Sequence, residues 1–224
     1  MKLFVFALVI VAASSFAADA ELGSRHAEGT GMVSIDGLMY SQTYDFANLM
    51  NGYSNYGAGD RWIADDFELA GPEVYVDSVV VWMIWTGGQG STMNIVFSED
   101  NGDSDPNTAT DVWSEAVPCT NYFTGDQSWG FDIYETTCDI NAADTHPLLT
   151  IGTHYWMETQ ADVVDNCFQL VGTWGVLSYV WYNDGSGVWV RCDDAFSEIT
   201  DTFMDFYGYV ALEAGTWADI KTLF

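Results

Sequence analysis

Four oxygen-bearing side chains recur at short intervals within one polar loop. They are Asp103, Asp105, Asn107 and Asp111. These residues stand at relative positions 1, 3, 5 and 9, which partly follows the ligand spacing of a calcium loop. The match to an EF-hand fails at position 6, where Thr108 replaces glycine. We therefore expect an irregular Ca²⁺ site that stabilises the fold, and the alternative is a solvated acidic turn without a metal.

Tryptophans on predicted strands form the second group of residues suited to binding. Sugar rings stack on exposed indole faces, while Asp, Asn and Glu side chains accept hydrogen bonds from hydroxyl groups. The best candidates flank one predicted hairpin turn and would face outward if Cys192 turns inward. They are Tyr179, Trp181, Trp189 and Arg191. In the alternative interpretation tryptophans fill the core, as we expect for Trp82 and Trp85.

Four cysteines give an even count, which in an exported chain favours disulfides. They are Cys119, Cys138, Cys167 and Cys192. We predict the nearest-neighbour pairing, Cys119–Cys138 and Cys167–Cys192, because each pair flanks a segment that resembles a hairpin. A zinc site is disfavoured because the C-x2–4-C spacing is absent.

Signals for catalysis are weak, and we assign no catalytic residue. The sequence has no H-E-x-x-H, no G-x-S-x-G and no Gly-rich phosphate loop. A Ser-His-Asp site would have to use His146 or His154, and no spacing selects a nucleophile. Paired carboxylates can hydrolyse glycosides, with Glu158 and Glu135 as strand-borne candidates. The simpler interpretation of Glu158 is a solvent-facing strand acid.

Composition limits the classes of partner. The 224 residues carry 33 Asp and Glu against 5 Lys and Arg, a formal net charge of −28. This charge opposes binding to nucleic acids or to anionic membranes, since both require clusters of Lys and Arg. A hydrophobic content of 49% is too high for a disordered acidic chain and supports a sizeable core.

The N-terminal segment has the pattern of a secretory signal peptide, with Lys2, an apolar stretch and then small residues up to Ala17. No later apolar run approaches the roughly 18 residues of a transmembrane helix. We predict a signal peptide at 1–17, an N-terminal arm and first strands at 18–59, a core at 60–211 and a tail at 212–224. The expected location is extracellular, either secreted or at the cell surface.

Short apolar segments separated by Gly, Asp, Asn and Pro indicate an all-β protein. The strongest is Val76–Trp85, which is apolar on both faces and therefore predicts a central strand covered on each side. Gly208 within a late strand predicts a bulge or a close backbone approach. About ten strands fit a two-layer antiparallel β-sandwich of the jelly-roll type, which the disulfides would stabilise.

Several short motifs resemble a family of exported bacterial modules with a jelly-roll-like fold. They are the ADDF segment Ala64–Phe67, the Val-rich strand that follows it, Phe97–Gly102, His154–Trp156 and the FMDFYG segment Phe203–Gly208. The C-terminal segment Thr216–Phe224 is similar to an SWGxIK-type tail of exported bacterial proteins. The resemblance implies a cell-surface or matrix module and supplies no catalytic residues.

We therefore expect a secreted, non-catalytic β-sandwich module of the cell surface or extracellular matrix that binds glycans. The expected partner is a polysaccharide or another cell-surface component. Two alternatives remain open. The first is a jelly-roll glycoside hydrolase that uses two carboxylates, and the second is a structural assembly subunit without a small ligand.

Overall fold

Antiparallel β-structure dominates the chain, as the sequence predicts. The computed structural model describes residues 33–42, 44–69, 73–150, 152–172, 180–196 and 200–212. The signal peptide, the residues before Val33, Tyr179 and the tail from residue 213 lie outside these ranges. Strands β1–β14 are, in chain order, Val33–Gln42, Leu49–Ser54, Trp62–Glu68, Val74–Trp85, Thr92–Glu99, Thr110–Ser128, Phe131–Asp139, Leu148–Leu149, His154–Ala161, Cys167–Gly172, Trp181–Asn183, Val190–Arg191, Asp201–Thr202 and Met204–Leu212. Within the described ranges, the helical pieces are three 3₁₀ turns, Phe46–Asn48, Gly57–Gly59 and Ile140–Ala142, and one short α-helix, α1, Cys192–Phe196.

The strands form one continuous sheet in the order β1-β14-β4-β7-β6-β5-β9-β3-β11-β12, with β2, β8, β10 and β13 attached beside this path. Strand β6 is 19 residues long and divides the sheet. Its segment up to Pro118 pairs with β5, and its segment from Cys119 pairs with β7. We call the strands from β1 to β7 along this path, with the attached strands, the first half, and those from β5 to β12 the second half.

The two halves enclose a shared hydrophobic core. Val79 and Val81 of β4 belong to the same cluster as Phe67 of β3 and Met157 of β9. The Phe67 and Phe206 rings meet edge to face with centroids 4.6 Å apart, which joins β3 to β14. Burial of each such side chain stabilises the fold by about 1.5–3 kcal/mol. Both halves are therefore fixed relative to each other by packing.

Strand β4 is covered on both faces, which confirms the prediction for Val76–Trp85. Its alternate residues Val80, Trp82 and Ile84 form a second cluster on the side away from the shared core. Tyr44 stacks on Trp82 with centroids 5.5 Å apart and an interplanar angle of 10°. Phe203 packs on the same cluster.

Gly208 lies at a register shift where β14 pairs with β4. A Cβ atom at this position would lie 2.1 Å from the carbonyl oxygen of Tyr75. The predicted bulge and the predicted close backbone approach are both confirmed.

Two elements differ from the strands that the sequence predicts. The sequence predicts a strand at Asp111–Ala116, whereas β6 extends from Thr110 to Ser128 because it serves both halves of the sheet. The sequence also predicts a strand at Val188–Cys192, whereas Cys192 begins α1. β1 pairs along its length with β14, so the residues from Val33 onward are part of the sheet. Among the described residues, no helix has the length and apolar character needed to cross a bilayer.

Among the described residues, no two cysteines lie at disulfide bonding distance. Cys119 and Cys138 stand directly opposite each other on β6 and β7, with their Sγ atoms 3.0 Å apart. Cys167 packs in the shared core, whereas Cys192 packs in a separate cluster with Val180. The strand register therefore favours the first predicted pairing and does not bring the second pair together.

Candidate functional site

The side of the second half that faces away from the shared core carries polar and aromatic side chains, most of which are buried. Ile63 and Phe67 of β3 and Met157 of β9 point into the hydrophobic interior, so the alternate residues of these strands point outward. Residues that pair directly across neighbouring strands face the same side of the sheet. The partners of these outward residues on β5, β9, β3 and β11 therefore also point outward. We call it the tryptophan face and define it by Trp62, Ala64, Asp66, Asn94, Val96, Ser98, Trp156, Glu158, Gln160 and Trp181.

A row of hydrogen-bonded polar groups crosses this face. Asn94 Nδ2 donates to Gln160 Oε1 at 3.1 Å, and Gln160 Nε2 donates to Asp60 Oδ1 at 3.3 Å. The indole Nε1 of Trp62 donates to the same Asp60 oxygen at 3.1 Å. Asn94 and Trp62 are half-buried, and Asp60 is exposed. The row holds amide and carboxylate groups in fixed orientations beside an accessible indole, as pre-organised recognition of a polar ligand requires.

Two carboxyl groups meet at a single hydroxyl on the same face. Ser98 Oγ lies 3.0 Å from Asp111 Oδ1 and 3.0 Å from Glu158 Oε1. A serine hydroxyl has one proton to donate and two lone pairs that accept, so it can donate to one acid and accept from the other when that acid is protonated. Burial raises the pKa of Glu158 to about 7, opposed by its bond to Ser98 and assisted by the charge of Asp111. With a pKa of about 7, Glu158 is partly protonated near neutral pH, and its protonated form can donate to Ser98 Oγ.

Trp181 does not present the exposed surface that the sequence analysis expected. It is 9% exposed and packs with Trp156 over Ala64, the two indoles meeting edge to face with centroids 6.2 Å apart. Its Nε1 is buried without a hydrogen-bond partner among the described residues. Trp189 is half-buried and packs against this cluster. The predicted common side for Trp181 and Trp189 fits this packing, but Trp181 is a buried residue.

Arg191 stands opposite Trp181 in the register of β11 and β12. Its guanidinium donates to both carboxylate oxygens of Asp193, at 2.9 Å from Nε and 2.5 Å from Nη2. The hydrogen bond from Arg191 lowers the pKa of Asp193. This cation is therefore paired with the first turn of the helix α1 that follows it. Tyr179, the fourth predicted ligand-binding residue, lies outside the described residues.

The acidic loop is organised by hydrogen bonds of its own. Both carboxylate oxygens of Asp103 accept from Thr108 Oγ1 at 2.9 Å, and Asp105 Oδ1 accepts from the backbone N–H of Asn107 at 2.8 Å. The Asn107 side chain pairs with the backbone of Trp189, accepting at 2.8 Å and donating at 3.1 Å. Asn107 therefore fixes the position of Trp189.

The structure does not gather the four predicted calcium ligands. Asp111 contacts Ser98 on the tryptophan face, whereas Asp103, Asp105 and Asn107 bond within the loop or to Trp189. In the described ranges no three His, Cys, Asp or Glu side chains converge as they would around a metal ion.

His154 joins two strands and the acidic loop through its two ring nitrogens. Nε2 lies 2.5 Å from Asp66 Oδ2, and Nδ1 lies 3.1 Å from Asp100 Oδ2. The hydrogen bond to Asp66 raises the pKa of His154 to about 9, with Asp100 adding to it and partial burial opposing it. A histidine held protonated by two carboxylates is a poor general base at neutral pH. Triad chemistry through His154 is disfavoured.

The paired aspartates of the ADDF segment point to opposite sides of β3. Asp66 faces outward to His154, while Asp65 faces inward and accepts from Thr202 N at 2.7 Å and Thr202 Oγ1 at 2.9 Å. Burial raises the pKa of Asp65, and the charge of Asp201 adds to the shift. The segment thus links the two halves of the sheet on one side and anchors His154 on the other.

The carboxylate pair nominated from the sequence is not assembled. Glu135 pairs with Trp82 on the outer side of the first half, and Glu158 lies on the outer side of the second half. The shared core separates them, so they cannot flank one glycosidic bond. His146 lies elsewhere, with Nδ1 3.6 Å from Asp77 Oδ1.

Sequence reasoning missed Trp62, Asn94 and Gln160. All three lie on strands at positions that alternate with core residues. The alternation alone could have placed Gln160 and Asn94 outward. Their link through Asp60 depends on strand register, which the sequence does not state.

No protein-family model and no curated protein sequence matches the chain.

Proposed function

We propose that the protein is an exported module that binds a carbohydrate on the tryptophan face and acts at the cell surface or in the extracellular matrix without catalysis. In this proposal the fold is a β-sandwich of the jelly-roll type, and the two halves of the sheet are its two layers. The observation that carries the proposal is the hydrogen-bonded row from Asn94 through Gln160 and Asp60 to Trp62.

This row supplies the two elements of sugar recognition. A half-buried indole offers a face for stacking against the C–H groups of a sugar ring. The neighbouring amide and carboxylate groups accept and donate hydrogen bonds to hydroxyls, and their mutual bonds fix them before the ligand arrives. The net charge of −28 favours a neutral glycan over an anionic one.

Export is proposed from the signal-peptide pattern of Met1–Ala17, and one disulfide is proposed with it. Cys119 and Cys138 face each other across adjacent strands, and oxidation would join them with little backbone movement. The Cys167–Cys192 pairing stays a prediction from the sequence.

A glycan array probed with the mature protein tests the proposal. Trp62→Ala should abolish or greatly weaken retention of any glycan that binds. Trp129→Ala is the matched control, because Trp129 lies in the β6–β7 turn of the first half and should leave binding unchanged. Absence of any bound glycan would favour the structural assembly subunit, and equal loss in both variants would remove the tryptophan face as the site.

A second function is favoured by one specific contact. The shared Ser98 hydroxyl holds Asp111 and Glu158 within about 6 Å of each other, near the separation of about 5–5.5 Å found in retaining glycosidases. Glu158 would supply the acid and Asp111 the nucleophile. Incubation of a bound glycan with wild type and Glu158→Gln distinguishes the two functions. Cleavage by wild type alone would establish the hydrolase, and an intact glycan with both would leave the binding function.

A further inference from the structure

A strained, exposed tryptophan marks the hairpin that joins β6 and β7. Ser128 pairs with Phe131, so Trp129 and Gly130 form a two-residue turn. Both have positive φ, 52° and 83°, as a type I′ turn requires. Asn, Asp and Gly adopt this conformation readily, whereas a bulky side chain is strained in it. The Trp129 side chain is nevertheless 58% exposed, so core packing does not explain its presence there.

Trp129 borders an aromatic groove on the outer side of the first half. The groove has a volume of about 210 Å³, and its described lining carries no charged side chain. Its lining residues are Asn51, Gly52, Ile84, Trp129, Phe131 and Phe168. A side chain at Gly52 would crowd the wall of the groove, because a Cβ atom there would lie 3.0 Å from Phe168 Cβ. Phe131 is itself 41% exposed.

The occupant of this groove can be argued from charge and lining together. Aromatic faces attract cations, and apolar walls favour an aliphatic stem. The net charge of −28 concentrates cations around the whole molecule and repels a second copy of the chain. A lysine or arginine side chain satisfies both conditions, since it combines an aliphatic stem with a cationic head.

We propose that the groove formed by Trp129, Phe131 and Phe168 docks a lysine- or arginine-containing segment of a basic partner protein. Trp129 covers the cationic head, and Phe131 and Phe168 contact the stem. The surface is separate from the tryptophan face and does not depend on the carbohydrate proposal. The strain at Trp129 is retained because asparagine in the same turn would leave the groove without one wall.

Fluorescence anisotropy with a labelled Gly/Ser peptide that carries several lysines tests this proposal. The comparison peptide has glutamine at those positions, and salt near 0.15 M screens the general charge attraction. Trp129→Asn should weaken binding of the lysine peptide at least tenfold. The same variant should raise the melting temperature, because Asn-Gly is the preferred type I′ sequence. Loss of binding with gain of stability separates a docking role from a packing role.

Phe123→Ala is the matched control on the same hairpin. Phe123 is 54% exposed and contacts Tyr134, outside the groove. It should bind the lysine peptide as wild type does, and Phe131→Ala should weaken binding as Trp129→Asn does. Equal binding of both peptides, unchanged affinity in Trp129→Asn, a lower melting temperature in that variant, or equal loss in Phe123→Ala would each overturn the proposal.

Discussion

At pH 6 the imidazolium of His154 lies between two nearly buried carboxylates, those of Asp66 and Asp100. Replacing it with glutamine removes the positive charge and retains a side chain whose amide NH₂ can still donate hydrogen bonds. Because the hydrogen bond to Asp66 raises the pKa of His154 from 6.5 to about 9, the folded state binds this proton more tightly than the unfolded chain. The contribution to stability is complete below pH 6.5 and is lost as the pH rises through about 9.

The magnitude follows from the size of the shift. A rise from 6.5 to about 9 corresponds to about 3 kcal/mol if the whole shift acts on folding. The His154 side chain is 24% exposed, and solvent screening reduces this value to about 1–2 kcal/mol. Wild type should therefore be more stable than His154→Gln by that amount at pH 6, and the difference should disappear by about pH 10.

Urea denaturation of both proteins across this pH range measures the difference directly. Comparison of the two profiles cancels the titration of the other acids and tyrosines. His146→Gln is the matched control, because that ring has a longer contact, 3.6 Å to Asp77. Parallel profiles for wild type and His154→Gln would refute the argument that the two carboxylates hold His154 as a cation.

Four further results are expected. Non-reducing peptide mapping of the exported protein should recover a Cys119–Cys138 peptide, and reduction should destabilise the fold by about 3 kcal/mol for a loop of this size. The free energy of unfolding of Glu158→Gln should rise by about 1–2 kcal/mol relative to wild type between pH 4 and pH 8. The reason is that burial raises the pKa of Glu158 to about 7, so its ionisation in the folded state is unfavourable. A stability difference that does not change with pH would contradict this. Gly208→Ala should lower the melting temperature, since its Cβ would lie 2.1 Å from a carbonyl oxygen, and an unchanged melting temperature would show that β14 relaxes freely. Trp181→Ala should destabilise the fold by about 3 kcal/mol or more in thermal denaturation, whereas a small loss would restore it as an exposed residue.

Local sequence patterns predicted a strand well where the run of apolar residues itself indicates which side chains are buried. The run Val76–Trp85 is apolar at every position but Asp77 and Ser78, and a strand covered on both faces is its direct consequence. Gly208 was predictable for the same reason, since a glycine in a β-branched and aromatic strand indicates a place where a side chain does not fit.

Burial of the candidate site was not predictable, because it depends on contacts between distant segments. Alternation placed Trp181 and Trp189 on one side of their hairpin, but it contains no information about what covers that side. Asn107 bonds to Trp189 across 82 positions of sequence, and Ala109 of the same loop packs against the Trp156–Trp181 cluster. Alternation therefore predicts an exposed Trp181, whereas the structure buries it.

The pairing of acids failed for a related reason. Glu135 and Glu158 both lie on correctly predicted strands, and either could face outward. β6 decides which half of the sheet each strand joins. It is longer than the strand predicted near Asp111, and it is shared between two partner strands. The topology of the sheet therefore determines which carboxylates lie close together. The neighbour of Glu158 is Asp111, and Ser98 connects the two.

The most direct test of carbohydrate binding on the tryptophan face uses the indole N–H signals of ¹⁵N-labelled protein. Each signal is assigned by single Trp→Phe variants, and the protein is titrated with the glycan that the array selects. We predict a progressive shift of the Trp62 signal, whose indole bonds to Asp60 in the polar row, with no shift of Trp129. A titration that moves the Trp129 signal and leaves Trp62 unchanged would contradict the account.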